Sequence, residues 1–97
     1  MTEAELFEEV RKLLHLYGWL YYHTHDSRRS NPGFPDLVMV RPSSAGGAWQ
    51  LLYRELKSEK GRLTDEQDRW LWALREAYCD MDVWRPSDME RIEKELR

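Results

Sequence analysis

The chain has 97 residues, of which 41% are hydrophobic and 34% are charged, and its formal net charge is −3 at pH 7. This composition is typical of a soluble globular protein, and the length predicts a single domain over residues 1–97. No apolar run approaches the roughly 18 residues that cross a bilayer, and the acidic start lacks the pattern of a secretory signal, so we expect a cytoplasmic protein with no membrane partner. The single Cys79 excludes an internal disulfide and a zinc site built from several cysteines.

The first half of the chain predicts one helix and two strands. Apolar residues recur every three or four positions after Thr2, which predicts an amphipathic helix that ends at Gly18. The aromatic and β-branched residues of 19–24 predict a strand, and the turn formers of 26–33 predict a loop. Residues 36–41 predict a second strand.

The second half begins with a flexible turn over residues 42–47. Residues 49–57 then predict a third strand, which we expect to form an antiparallel hairpin with the second. A helix begins at Thr64, and its inward stripe contains one polar member, Gln67. The apolar members of that stripe are Leu71, Leu74 and Tyr78.

A short strand around residues 83–85 and a last helix from Ser87 complete the prediction. Three helix starts fit the capping box, in which a hydroxyl and the third helical side chain satisfy exposed N–H groups reciprocally. These pairs are Thr2/Glu5, Thr64/Gln67 and Ser87/Glu90. The order α-β-β-β-α-β-α predicts an α/β fold with a mixed sheet flanked by helices.

The third predicted strand contains charges that need an explanation. Because side chains alternate along a strand, Glu55 and Lys57 share one face. Asp36 begins the second strand, and the predicted hairpin would bring it towards Glu55 and Lys57. For an isolated Glu-x-Lys the commoner interpretation is a cross-strand salt bridge with Asp36 as a turn cap.

Two carboxylates and an amine also have a chemical use. Carboxylates from different strands can hold a hard cation such as Mg²⁺, whose remaining ligands would be waters and a substrate phosphate. The cation polarises the phosphoryl oxygen and acidifies a bound water, and a neighbouring ammonium can orient that water. These residues therefore favour a metal-dependent phosphodiesterase.

The order of sequence motifs along the chain indicates a family more specifically than these three residues do. Gly33-Phe34-Pro35-Asp36-Leu37-Val38 is followed by Arg54-Glu55-Leu56-Lys57, by Gly61-Arg62-Leu63-Thr64 and by Gln67. With the Thr-Glu-Ala-Glu-Leu start and Val83-Trp84-Arg85-Pro86-Ser87-Asp88, this order resembles the VRR-NUC family of the PD-(D/E)xK nuclease superfamily over nearly all of the chain.

The resemblance implies a restriction-endonuclease-like fold and a divalent-metal-dependent DNA endonuclease with Mg²⁺ or Mn²⁺ as the cofactor. Stand-alone members are small, resemble phage or bacterial proteins, and some act on branched DNA as dimers. We therefore expect DNA as the substrate, with a branch or Holliday junction as a favoured structure. We also expect a homodimer in a bacterial or phage-infected cell.

By motif, the resemblance assigns the metal-binding acids to Asp36 and Glu55 and the catalytic lysine to Lys57. The helical glutamine falls on Gln67, and the main-chain carbonyl of Leu56 is expected to add a metal ligand. From the residues alone, Gln67 has a competing role in the capping box.

The family also places a glutamate of the first helix near the metal. Glu5 is our choice, although its neighbours Glu3, Glu8 and Glu9 compete and Glu5 has its own capping role. His23 and His25 are candidates for part of a metal pair or for a general base, but two histidines at this spacing on a strand usually just share a face.

Basic residues concentrate in the middle of the chain, where residues 26–62 hold seven basic side chains against four acidic ones. This surplus is compatible with a phosphate-binding surface, although a solvated mixture of charges is the commoner interpretation. The predicted DNA contacts are Arg28, Arg29, Lys60 and Arg62. Because Trp70 and Trp72 lie about 200° apart on one helix, one of them is expected to face outward as a dimer or DNA contact.

Two other functions remain open from the sequence. One is a catalytically silent DNA-binding or interaction module on a nuclease scaffold, and the other is an RNA-directed nuclease. The intact Asp36, Glu55 and Lys57 speak against the first, and only a comparison of substrates separates the second.

Overall fold

The computed structural model describes residues 1–24 and 31–97. Its helices are α1 (Glu3–Leu16), α2 (Asp65–Glu76) and α3 (Met89–Leu96), and a 3₁₀ turn at Pro86–Asp88 precedes α3. Its strands are β1 (Leu20–His23), β2 (Leu37–Arg41), β3 (Gln50–Leu56) and β4 (Asp80–Trp84). The predicted fold class, a mixed sheet flanked by helices in the order α-β-β-β-α-β-α, is confirmed.

Within the described residues the four strands form one sheet in the order β1-β2-β3-β4. The pairs β1/β2 and β2/β3 are antiparallel, which confirms the predicted hairpin. β4 lies parallel to β3. Parallel neighbours need a crossover connection between them, and the segment that contains α2 provides it.

The hydrophobic core lies between one sheet face and the helices α1 and α3. From the sheet, alternate residues of β2 and β3 point into it, because side chains one residue apart point to opposite faces. The cluster contains Leu6, Val10, Leu14, Trp19, Leu37, Met39, Leu52, Leu56, Trp84, Ile92 and Leu96. Since α1 buries Leu6, Val10 and Leu14 at helical spacing, the predicted amphipathic stripe of the first helix is confirmed.

We call the opposite side of the sheet the outer face. Helix α2 packs on the β3/β4 half of it, where Tyr53 pairs with the buried Met81. Phe34 joins the two layers, since its ring contacts the rings of Tyr53 and Trp70 edge-on. The half of the outer face formed by β1 and β2 has no helix over it among the described residues, and Leu20 and Tyr22 are each 65% exposed there.

The end of α2 differs from the prediction. The predicted inward stripe includes Tyr78, but the helix ends at Glu76, and Tyr78 has a positive φ of 64° and is 98% exposed. Tyr78 belongs to a tight turn that returns the chain to the sheet. Consequently β4 begins at Asp80, three residues before the predicted start of this strand.

The capping boxes at Thr2 and Thr64 are confirmed, because both reciprocal hydrogen bonds form at each helix. The prediction for Ser87 and Glu90 is wrong. The Ser87 N–H and hydroxyl both donate to the carboxylate of Glu59, at 2.9 and 2.7 Å, in the loop after β3. A tertiary partner has replaced the local one, and a 3₁₀ turn precedes α3.

Candidate active site

Asp36 and Glu55 lie opposite each other at the end of the β2/β3 hairpin. The Asp36 N–H donates to Glu55 Oε1 at 3.2 Å, and the Leu56 N–H donates to Asp36 Oδ2 at 2.8 Å. The antiparallel pairing of Leu37 with Arg54 sets this register. The residue before Leu37 then lies beside the residue after Arg54, which places residue 36 beside residue 55. The structure therefore brings together the two carboxylates that the sequence placed on different strands.

Gln67 joins this pair from the first turn of α2. Its Nε2 donates to Glu55 Oε2 at 2.9 Å, while its Oε1 accepts the Thr64 N–H at 2.9 Å. The two predicted roles of Gln67, a helix cap and a contact to the site, are therefore compatible. The cap requires the amide oxygen and so directs the amide NH₂ towards the carboxylate.

Glu55 is the acid of the site whose pKa is strongly raised. Its pKa is raised to about 8, chiefly by burial and then by the negative charge and side-chain hydrogen bond of Asp36, while the positive charge of Lys57 opposes the rise. Two close carboxylates in a buried place do not both ionise readily. A bound cation would reverse this balance by favouring the ionised forms.

Lys57 follows directly after β3 and is only 8% exposed. Its N–H donates to the Trp84 carbonyl at 3.0 Å, which extends the β3/β4 ladder by one residue. Its aliphatic stem runs beside Gly61, where an added Cβ would lie 3.6 Å from Lys57 Cδ. The ammonium is therefore carried by a fixed backbone at the same end of β3 as Glu55.

Arg85 holds the loop after Lys57, a role that sequence reasoning missed. Its Nη1 donates to the carbonyls of Ser58 at 2.7 Å, Gly61 at 2.7 Å and Glu59 at 3.2 Å. Such a contact cannot be read from spacing, because Arg85 lies more than twenty residues further along the chain. The only signal was its place in the segment Trp84-Arg85-Pro86 of the resemblance.

Several proposed residues lie elsewhere or outside the described part of the chain. Glu5 is exposed, and its Oε1 accepts the Thr2 N–H at 2.9 Å as part of the α1 cap, which lowers the pKa of Glu5. Within residues 1–24 and 31–97, no three His, Cys, Asp or Glu side chains come together as a metal site. His23 stacks on Phe7 with ring centroids 3.7 Å apart, and His25 lies outside the described residues.

The basic surplus of the middle segment divides into structural and exposed residues. Arg54 is buried under Trp84 and pairs with Asp80 and Glu95 at 3.0 and 3.3 Å. Arg41 donates to the Leu96 carbonyl at 2.6 Å and so holds the end of α3. These arginines are occupied inside the fold and do not form a phosphate-binding surface.

Of the four predicted DNA contacts, two belong to the described part of the chain and two do not. Lys60 and Arg62 are exposed in the loop that follows Lys57, next to the carboxylate pair in the chain. Arg28 and Arg29 lie outside the described residues. The phosphate-binding surface that the described residues offer is therefore smaller than the sequence count indicated.

A model of the VRR-NUC domain matches residues 2–88, which include every residue of the site just described. The chain belongs to the VRR-NUC family. Searches of curated proteins and of solved structures give no match. Membership in the VRR-NUC family implies a nuclease-type function and DNA as the partner. None of the described helices of this VRR-NUC domain has the length and hydropathy of a membrane span.

VRR-NUC domains typically use divalent metals, and the donors of this site fit such an ion. Asp36 and Glu55 offer hard oxygen ligands, which suit Mg²⁺ and Mn²⁺ better than softer metals. Burial and the charge of Asp36 raise the pKa of Glu55, and a bound divalent ion would favour the ionised form of both carboxylates. Two carboxylates leave room for waters and a phosphate oxygen, as Mg²⁺ sites commonly require.

The raised pKa of Glu55 predicts how metal and pH affect the stability of the VRR-NUC domain. The folded state holds the Glu55 proton up to about pH 8, whereas the unfolded carboxyl loses it near 4.5. The metal-free protein should therefore lose stability as the pH rises from about 4.5 to about 8. If Asp36 and Glu55 hold Mn²⁺, the ion should restore this stability increasingly over the same window, because a carboxylate binds a metal in its deprotonated form.

Thermal unfolding with EDTA or Mn²⁺ at several pH values measures this coupling. We expect Mn²⁺ to raise the melting temperature by roughly 5 °C or more at pH 8 and by much less at pH 5. Glu55→Gln is the matched control. It should reduce both the pH dependence of the melting temperature and its rise with Mn²⁺. A Mn²⁺ effect of equal size at both pH values would contradict the prediction.

Proposed function

We propose that the protein is a Mg²⁺- or Mn²⁺-dependent endonuclease that hydrolyses phosphodiester bonds in DNA, with a preference for branched structures. The observation that carries this proposal is the apposition of Asp36 and Glu55 across the β2/β3 hairpin, with the buried Lys57 two residues after Glu55, directly after β3. A structural salt bridge would not need a second carboxylate, Asp36, placed where its negative charge raises the pKa of Glu55.

In this proposal Asp36 and Glu55 hold the metal. The Leu56 carbonyl is a further ligand, because the N–H and C=O of one strand residue point to the same neighbouring strand and the Leu56 N–H points to Asp36. A divalent ion bound there would polarise the scissile phosphate and make a bound water more acidic.

Lys57 donates to the attacking water or to a phosphate oxygen and offsets the charge that develops there. Gln67 keeps the Glu55 carboxylate oriented through its Nε2 contact. Lys60, Arg62, Arg28 and Arg29 are proposed to contact DNA phosphates, which position the duplex without reading its sequence.

Cleavage assays on a panel of DNAs test the function. The panel contains a four-way junction, a flap, a nicked duplex, a linear duplex and a single strand, each with Mg²⁺, Mn²⁺ or EDTA. We expect cutting with Mg²⁺ or Mn²⁺ and none with EDTA, and we expect branched DNA to be cut faster than the linear duplex.

The same panel separates the competing functions. Tight binding of every DNA without cutting by either metal would indicate a catalytically silent module and would remove the proposed activity. Adding RNA versions of the substrates tests the remaining alternative. RNA cut in preference to DNA would assign an RNA-directed nuclease.

We further propose that the protein acts as a homodimer through the β1/β2 half of the outer face, which no described helix covers. Two rows of side chains run across this half and continue onto β3, without a charged member. They are Leu20/Val40/Leu51 and Tyr22/Val38/Tyr53. Such a surface does not suit DNA phosphates, which bind basic side chains.

The size and shape of this surface favour a second copy as its partner. Tyr22 is 65% and the adjoining Trp49 is 59% exposed, so these two side chains alone present roughly 250 Å². An exposed apolar patch of several hundred Å² marks an interface, and a standard interface buries about 800 Å² per partner. A two-fold contact pairs one such patch with itself.

Light scattering of the purified protein measures the mass in solution. We expect a dimer for the wild type and a monomer for Leu20→Glu, because an unpaired charge would be buried in the interface. Leu16→Glu is the matched control: Leu16 is equally exposed, at 69%, but lies on α1, on the core side of the sheet. A wild type that is strictly monomeric with and without DNA would defeat the proposal.

A further inference from the structure

A cleft runs along the flank of α2 that the proposed chemistry does not use. It lies between residues 31–33 and the helix, and its volume is about 400 Å³. The described residues that line it are Asn31, Pro32, Glu66, Arg69, Trp70 and Ala73. Pro32, Trp70 and Ala73 contribute apolar surface to this lining, and Asn31, Glu66 and Arg69 contribute polar groups.

The cleft is built from the same two segments that carry the proposed active site. Trp70 lies three residues after Gln67, so it is one helical turn further along α2. The opposite wall leads through Phe34 to Asp36, and the Phe34 ring meets Trp70 edge-on at 5.0 Å. A strand bound at the carboxylate pair would therefore pass next to this cleft.

The chemistry of the lining favours a flat, uncharged ring with polar edges. The charges of Glu66 and Arg69 offset each other, so the cleft does not select a phosphate. The half-buried Trp70 offers an indole for stacking, and Asn31, Glu66 and Arg69 provide both hydrogen-bond donors and acceptors. A nucleobase has these properties, and its volume is well below that of the cleft.

From these observations we propose that the cleft receives an unpaired nucleobase of the DNA strand being cut, stacked on Trp70. Branch points and flaps present unpaired or easily unstacked bases, whereas removing a base from a continuous duplex costs a few kcal/mol. The cleft would thereby select branched DNA. This inference rests on the proposed nuclease function and names how its substrate is recognised.

A binding assay with the full protein in EDTA tests the cleft without requiring cleavage. The probe is a flap DNA with a 2-aminopurine at the first unpaired position, whose fluorescence falls when the base stacks on an aromatic ring. We expect quenching by the wild type and by Trp72→Ala, and none by Trp70→Ala. Trp72 is the matched control because it lies on the same helix, is 53% exposed and does not line the cleft.

Cleavage kinetics with Mg²⁺ give the second readout. Trp70→Ala should raise KM for the flap about tenfold, as expected for the loss of one base–aromatic stack, and leave kcat unchanged. An abasic nucleotide at the probed position should remove this difference between the variant and the wild type.

Ala73→Leu guards against a folding effect of Trp70→Ala, since it fills the exposed end of the cleft and removes no packing. It should also abolish quenching. Quenching that survives in Trp70→Ala or in Ala73→Leu would overturn the inference. Quenching by the wild type without any cutting would instead sink the proposed nuclease function and leave the cleft assignment standing.

Discussion

Lys57→Met is expected to reduce the rate of DNA cleavage by about a thousandfold while the protein still folds and binds Mn²⁺. Methionine retains an unbranched stem in a position that is only 8% exposed, so the packing changes little. What is lost is the ammonium that stabilises charge at the reacting phosphate, and removal of one such donor typically costs about 10²–10³ in rate. Single-turnover cleavage of the best substrate measures the effect.

Lys60→Met is the matched control, because Lys60 is a basic residue of the same loop but is exposed. It should weaken DNA binding slightly and leave the rate at saturating DNA unchanged. Asp36→Asn should abolish both cleavage and the Mn²⁺-dependent rise in melting temperature. Cutting by Lys57→Met at the wild-type rate would remove the proposed mechanism.

Gly33→Ala is expected to cost about 3 kcal/mol or more of stability and most of the activity. Gly33 has φ +87°, and an added Cβ would lie 2.4 Å from the Glu66 main-chain carbon. The atom in the way is backbone, so either the 31–34 segment or the first turn of α2 must move. Either movement would disturb the site, because Asp36 follows the 31–34 segment and Gln67 belongs to the first turn of α2.

Gly46→Ala separates the two causes. Gly46 also has a positive φ, +81°, but a Cβ there would meet nothing within 4 Å. It should cost only about 1 kcal/mol, which is the usual strain of a left-handed conformation in an L-residue. Urea unfolding of both variants measures the difference, and equal losses would show that no steric contact with α2 limits position 33.

The parts of the site that could be predicted from the sequence are those set by local periodicity. Glu55 and Lys57 share a face because side chains alternate along a strand, and Asp36 meets Glu55 because a hairpin fixes its own register. The capping of α2 was predictable for the same reason, since Thr64 and Gln67 are three residues apart. Each of these contacts lies within one element or one hairpin.

The parts that could not be predicted depend on which distant segments meet. In the sequence, Arg54 is one of the basic residues that suggest a charged surface. In the structure it pairs in the core with Asp80 of β4 and Glu95 of α3. Ser87 fitted a local cap, but Glu59 competed for the same N–H and hydroxyl and formed the contacts. Local patterns contain no information on such competitors.

The sequence by itself determined the order of elements, the faces of β3 and the identity of the acidic pair, because these follow from side-chain alternation and from motif order along the chain. The tertiary structure alone decided that Gln67 reaches Glu55, that Arg85 holds the loop after Lys57, and that no described helix covers the β1/β2 half of the outer face. The physical reason is that these features depend on where α2 and β4 dock, and docking is set by packing between segments far apart in the chain.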